Sequence, residues 1–237
     1  MKSLQKMGGI AALYEAAAYI FGIVFFVVLV DYAGVETATE RLMVLVENQA
    51  MMYLMNLVIY VIFGLVLIVL ALAVHDRLRQ KAPAVMQVAT VIALIWSVVV
   101  IASGMIFNIG TGVVVELFET DPVQATTVWL AIDTVVNGIG GGVEVLGGLW
   151  VLLISWVAIQ HGGFPKGLNY VGLLVGMAGT VTLVPAFGEV GGMIFGLGQI
   201  AWFIWLGIAL MRTQPDMATT ASVDASNNLA LGHGKAA

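Results

Sequence analysis

Residues 51–74 read MMYLMNLVIYVIFGLVLIVLALAV, twenty-four positions without a charge. As an α-helix this block covers about 36 Å, more than the roughly 30 Å of hydrocarbon in a bilayer. A helix is the form that satisfies every backbone group of such a segment in lipid. The block closes on a polar cluster, His75-Asp76-Arg77-Leu78-Arg79-Gln80-Lys81. Working outward, blocks of the same kind occupy residues 9–30, 85–107, 138–160, 168–184 and 191–211. The expected fold is an all-α integral membrane protein, a six-helix transmembrane bundle over residues 1–211. A small, polar tail at 212–237 is expected to be disordered.

Composition agrees. The chain has 237 residues, 61% hydrophobic and 10% charged, against about 25% charged in a soluble domain. The partner implied is the lipid bilayer; the absence of a basic patch argues against nucleic acid. There is no cysteine, which excludes disulfides, thiolate metal sites and cysteine nucleophiles. Lys2 and Lys6 precede an apolar stretch from Gly8 to Val30 that is long for a secretory signal, so it reads as an uncleaved first span.

Charge placement gives an orientation. With six spans, Lys2, Lys6, Arg77, Arg79, Lys81, Lys166, Arg212 and Lys235 fall on one side. Arg41 alone falls on the other, with Asp31, Glu36, Glu40, Glu47, Glu116, Glu119, Asp121 and Glu189. The positive-inside rule places the basic side, and with it both termini, in the cytoplasm. Trp156, Tyr170 and Trp205 are expected near the inner interface, and Tyr32, Tyr53 and Trp129 near the outer one.

Residues 112–119 and 123–136 are apolar but extend spans already long enough. They either lie along the outer face, after breaks at Asn108-x-Gly110 and Asn137-Gly138, or prolong two tilted helices. Thr37–Glu47 reads as a further short interfacial helix. Asp121-Pro122, Pro83 and Pro165 read as helix starts, and Pro185 as a stop or kink.

Three carboxylates fall in or near spans: Glu15, Asp133 and Glu144. No lysine, arginine or histidine lies within a span to pair with them. Intramembrane acids mark functional sites by default. On an unbroken helix Asp133, Asn137, Gly141, Glu144 and Gly148 share one face, so Glu144, Asp133 and Asn137 are the candidate intramembrane polar site, with Glu15 of the first span as a further member. The plain alternative is a packing face with a protonated, hydrogen-bonded Glu144. Asn56, Tyr60, Ser97, Ser103 and Asn108 are available to bond such an acid. Gly9-Ile10 through Glu15 aligns with Gly138-Ile139 through Glu144, as an inverted three-plus-three repeat would give.

Twenty of the 28 glycines follow Val136. Gly141 and Gly148, Gly172 and Gly176, and Gly192 and Gly196 are expected to pack helices closely, within the chain or against a membrane-protein partner or second copy. His75 and His161 sit at span ends, where a shared metal is a remote reading and solvated side chains the plain one. No nucleophile–base pair, phosphate loop or metal-protease motif is present. No catalytic residue, metal or cofactor is therefore assigned, and a lipid-active enzyme ranks below a solute or proton conduit and a structural or regulatory subunit.

The second half resembles a known family. A glycine-rich fourth span ends Leu149-Trp150-Val151-Leu152-Leu153; Gly163-Phe164-Pro165-Lys166-Gly167-Leu168 and Tyr170-Val171-Gly172-Leu173 follow. These look like a bacterial six-span family known as a domain of unknown function (number four-three-eight-six). The resemblance covers residues 8–211 and is strongest from 138 on. It implies a bacterial or archaeal cell membrane and the six-helix bundle, and brings no activity or site residues.

Overall fold

The computed structural model describes residues 2–30, 34–35, 37–141 and 144–212. Its regular structure there is helical throughout. The elements are α1 (Lys2–Val24), α2 (Ala38–Glu47), α3 (Gln49–Asn56), α4 (Phe63–Leu78), α5 (Pro83–Phe118), α6 (Pro122–Val136), α7 (Val145–His161), α8 (Lys166–Val181) and α9 (Pro185–Met211). Two π-turns widen the long helices, Phe25–Leu29 after α1 and Leu57–Ile62 between α3 and α4, and a kinked turn, Asn137–Gly141, follows α6. Among the described residues, five helical segments, 3–29, 49–78, 83–118, 122–161 and 185–211, are long and apolar enough to cross a membrane. The chain is an all-α membrane bundle. α8 has 16 residues, about 24 Å, and packs between α7 and α9.

Caps and prolines set the helix starts. The Asp121 carboxylate accepts the Gln124 N–H at 3.0 Å, with Pro122 at the first helical position. Pro83 and Pro185 open α5 and α9 in the same way; Pro185 thus starts a helix, α8 having already ended at Val181. A proline at that position loses no hydrogen bond. Thr37 and Glu40 form a reciprocal capping box on α2, which holds the exposed Glu40 carboxyl below its usual range through bonds from the Thr37 side chain and backbone.

α5 runs unbroken through Asn108 and Gly110 for 36 residues, about 54 Å, so residues 112–118 prolong a span. Its far end, α2 and α6 enclose a small cluster of Leu42, Leu45, Val114, Ala125 and Trp129. Trp129 is 2% exposed there, edge-on against Phe107, so its ring packs inside the bundle and not against lipid. Trp156, Tyr170 and Trp205 are exposed; Tyr32 lies outside the described residues, as do Asp31, Glu36 and residues 213–237.

The two ends of the bundle differ. At the basic end, Lys81 Nζ donates to the His161 carbonyl at 2.9 Å, and Arg77 Nε donates to the Gly163 carbonyl at 3.3 Å. Gly162 and Gly163, with φ of 71° and 122°, make the left-handed turn that brings this loop under α4. The opposite, acidic end carries α2 and the α5–α6 turn.

Backbone crossings are made by glycine. A Cβ on Gly148 would sit 2.7 Å from the Gly176 carbonyl oxygen, and one on Gly176 would sit 2.8 Å from that of Gly148. Gly9 and Gly207 approach each other's carbonyls to 2.9 Å in the same sense, locking α1 to α9. Gly172 faces Ser155 and Trp202. A Cβ on Gly192 or Gly196, by contrast, would meet nothing within 4 Å, so among the described residues this pair packs no helix of the chain and its face is open. Gly141 closes the kinked turn after α6, and its surroundings lie outside the described residues.

Candidate functional site

The fourth span is not one helix. Gly140 leaves helical geometry, and α7 restarts with Glu144 at its N-cap position. The single face inferred for Asp133, Asn137, Gly141, Glu144 and Gly148 therefore does not exist as drawn, because the azimuth is reset at the break. Four glycines in 138–142 make a continuous helix costly there. The restart is pinned from α8's end: the Glu144 N–H donates to Thr182 Oγ1 at 3.1 Å, and Thr182 Oγ1 donates to the Gly179 carbonyl at 2.8 Å.

On the acidic side of this break lies a cavity of about 250 Å³ lined by Phe26, Arg41, Met52, Asn56, Tyr60, Phe107, Asp133, Val136 and Asn137. Each π-turn contributes a lining residue, Phe26 and Tyr60, and the kink after α6 contributes Asn137. Such turns leave the regular hydrogen-bond ladder and recur at functional sites. Arg41, from α2, brings a positive charge within electrostatic reach of Asp133.

Polar side chains around the cavity are anchored by backbone. Asn56 Nδ2 donates to the Gly104 carbonyl at 2.7 Å and to Asn108 Oδ1 at 3.0 Å. Asn137 Nδ2 donates to the Asp133 carbonyl at 2.9 Å. Ser103 donates to the Val136 carbonyl and Ser97 to that of Ala93. Asn56, Ser97 and Ser103 position helices, while the Asn137 side chain also hydrogen-bonds the Asp133 carboxyl. The half-buried Glu144 does not line the cavity. Tyr60 and Asp133 line the same cavity.

Glu15 stands apart from the cavity. It is fully buried on α1, and neither carboxylate oxygen has a hydrogen-bond partner. His75 Nδ1 meets Thr90 Oγ1 on α5 at 2.8 Å, while His161 is exposed. No group of three metal-ligating side chains occurs among the described residues.

Sequence reasoning passed over an aromatic collar at mid-bundle. Ring centroids follow one another from Tyr19 to Phe63 (5.7 Å), Trp96 (5.9 Å), Trp150 (6.1 Å), Trp202 (5.8 Å), Phe203 (5.5 Å) and back to Tyr19 (6.2 Å). Five helices contribute, and the circuit closes. The signal was available: tryptophan favours the interface, yet Trp96, Trp150 and Trp202 stand well inside their blocks. Comparison with protein-family models, with curated proteins and with solved structures returns no match to this chain.

Proposed function

We propose that the chain is a six-span membrane protein, with α8 as its fifth crossing, that conducts protons or a small polar solute past Asp133 and Glu144. The observation that carries this reading is the break in the fourth span beside a polar cavity. Discontinuous helices near mid-membrane are where transported ions and solutes meet backbone groups, and an acid kept in a span without a cation on any span is costly unless used. The basic end faces the cytoplasm of a bacterial or archaeal cell, on the strength of the eight-to-one split of basic residues and the family resemblance.

Reconstituted in liposomes with an internal pH dye, the wild type should respond to an imposed pH step. Glu144→Gln should fold normally and lose most of that response, about 10-fold or more, as expected for a group that exchanges protons directly. An unaltered response in both Glu144→Gln and Asp133→Asn would sink the reading. A second reading, a structural or regulatory subunit, is favoured by the open face of Gly192 and Gly196. It would stand if the wild type itself carried nothing and a cysteine at 196 cross-linked to a membrane partner or second copy.

Orientation has its own test in this cysteine-free chain. A cysteine introduced at 79 should resist an impermeant maleimide applied to intact cells, and one at 121 should react. Labelling of position 79 from outside would reverse the assignment.

A further inference from the structure

The α4–α5 hairpin at the basic end holds a cleft of about 440 Å³, lined by His75, Arg79, Gln80, Pro83 and Gln87. A tight turn shapes it: the Lys81 N–H donates to the Leu78 carbonyl at 2.9 Å, and α5 starts at Pro83. The polar groups of the lining are a guanidinium, an imidazole and two side-chain amides, with no carboxylate among them. Arg79 meets Asp76 through one nitrogen at 3.3 Å and is 52% exposed. A guanidinium has five N–H donors, so this single contact leaves most of them for a second partner.

Its neighbours fix the tautomer of His75. Thr90 Oγ1 has one hydrogen, which it donates to the Met86 carbonyl at 2.7 Å. Lying 2.8 Å from His75 Nδ1, that oxygen therefore accepts from the ring. A bare Nδ1 would also set lone pair against lone pair with the Met86 carbonyl oxygen, 3.3 Å away. The ring hydrogen is thus on Nδ1, and Nε2 is the nitrogen left for the cleft that His75 lines. Held this way, the ring can take a second proton on Nε2 without turning, and both nitrogens then donate.

Toward mid-bundle the same two faces turn apolar. On α5, steps of four lead from Pro83 and Gln87 to Val91 and Ile95. On α4, steps of three, four and seven lead from Arg79 and His75 to Leu72 and Leu65. All four apolar side chains are exposed, on segments long and apolar enough to cross a membrane. A polar cleft that runs on into an apolar, outward-facing strip has the shape and chemistry of a phospholipid's two halves.

We propose that this cleft binds an anionic phospholipid, with the phosphate held by Arg79, His75 Nε2 and the Gln80 and Gln87 amides, and the acyl chains laid along Leu72, Leu65, Val91 and Ile95. Arginine suits the task because its fork matches two phosphate oxygens at once, and basic pockets between membrane helices hold such head groups elsewhere. The positive end of the α5 dipole, at the rim of the cleft, adds to the same field. A choline head group, by contrast, finds no carboxylate in the lining and meets the Arg79 charge. The apolar strip is what selects a lipid over a soluble phosphate ester. The site is at the opposite end of the bundle from the polar cavity and does not depend on conduction.

Native mass spectrometry of the full chain in detergent tests it, with phosphatidylglycerol, phosphatidylcholine and soluble glycerol 3-phosphate as probes. Wild type should bind one phosphatidylglycerol about 10-fold more tightly than phosphatidylcholine, the scale of a charge-assisted hydrogen bond. Arg79→Gln should abolish that preference. Gln87→Glu is nearly isosteric, exposed, and placed in the first turns of a helix, where an acid is favoured. It should fold as wild type does and weaken phosphatidylglycerol binding about 10-fold. Arg212→Gln, at the same end but outside the cleft, should change nothing. Unaltered phosphatidylglycerol affinity in both Arg79→Gln and Gln87→Glu would overturn the site, as would equal affinity of the wild type for the two lipids. An equal loss in Arg212→Gln would mean general attraction to the basic end and would overturn it too. Displacement of the lipid by glycerol 3-phosphate at equal concentration would assign the cleft to a soluble phosphate ester and overturn the lipid.

Discussion

Gly148→Leu is expected to cost about 3 kcal/mol or more and to separate α7 from α8. The obstacle is backbone: an added Cβ would lie 2.7 Å from both the Gly176 oxygen and the Thr180 nitrogen, and 2.8 Å from the Gly179 carbonyl carbon. Side chains can rotate away from an intruder, but a helix backbone moves only as a body. Overpacking typically costs about 1–3 kcal/mol, and this site belongs at the upper end because no rotamer relieves it. Domain stabilities are only about 5–15 kcal/mol, so the loss should be plain in a detergent unfolding titration. Gly196→Leu is the internal control. With nothing within 4 Å, it should stay within about 0.5 kcal/mol of wild type. Equal midpoints for the two variants would show that α7 and α8 do not cross as described.

The second large effect is Trp150→Ala. Trp150 is 1% exposed and stands between Trp96 and Trp202, tilted at 48° to one and nearly perpendicular, at 81°, to the other. Truncation removes both aromatic pairs, each worth about 0.5–1.5 kcal/mol, and leaves a cavity. Large aromatic-to-alanine changes in cores cost about 3–5 kcal/mol. In a membrane the transfer part of that figure shrinks, because the separated helices face lipid and not water. What remains is lost dispersion contact, so about 3 kcal/mol is expected, with Trp150→Phe recovering part of it. Unfolding followed by tryptophan fluorescence and by circular dichroism would report it. An unshifted midpoint would mean that the collar is not a packed ring.

The fold class was legible because lipid leaves so few options: uncharged blocks of twenty or so residues have to be helices. What the sequence hid is helix rotation. In water a helix advertises its buried face by polarity, but here both faces are apolar. Spacing alone favoured Gly192 and Gly196, which face outward, and gave no sign of Gly9 and Gly207, which cannot form a four-residue pair because they belong to different helices. The candidate acids were found for a sound reason, their cost in a span. Their grouping was not, since it assumed a straight helix through 138–142 where four glycines make a straight helix least stable. Glu15 and Glu144 were matched by sequence alone. The structure sets them apart: Glu15 is buried on α1 with neither oxygen bonded, and Glu144 stands at the start of α7 with its N–H on Thr182.

The π-turns carry a mechanical consequence. Each holds one residue more than an α-turn, and by exchanging hydrogen bonds with its neighbours it can migrate along the helix one step at a time. A single step turns the intervening residues by about 100°, the angle per residue of an α-helix. Phe26 and Tyr60 sit in two such turns around one chamber, while at the far end Gln5 ties α1 to α4 and Arg77 and Lys81 tie α4 and its loop to the α7–α8 loop. The wall is thus geared: its side chains can be swept in or out by screw motions of two helices whose opposite ends stay fastened.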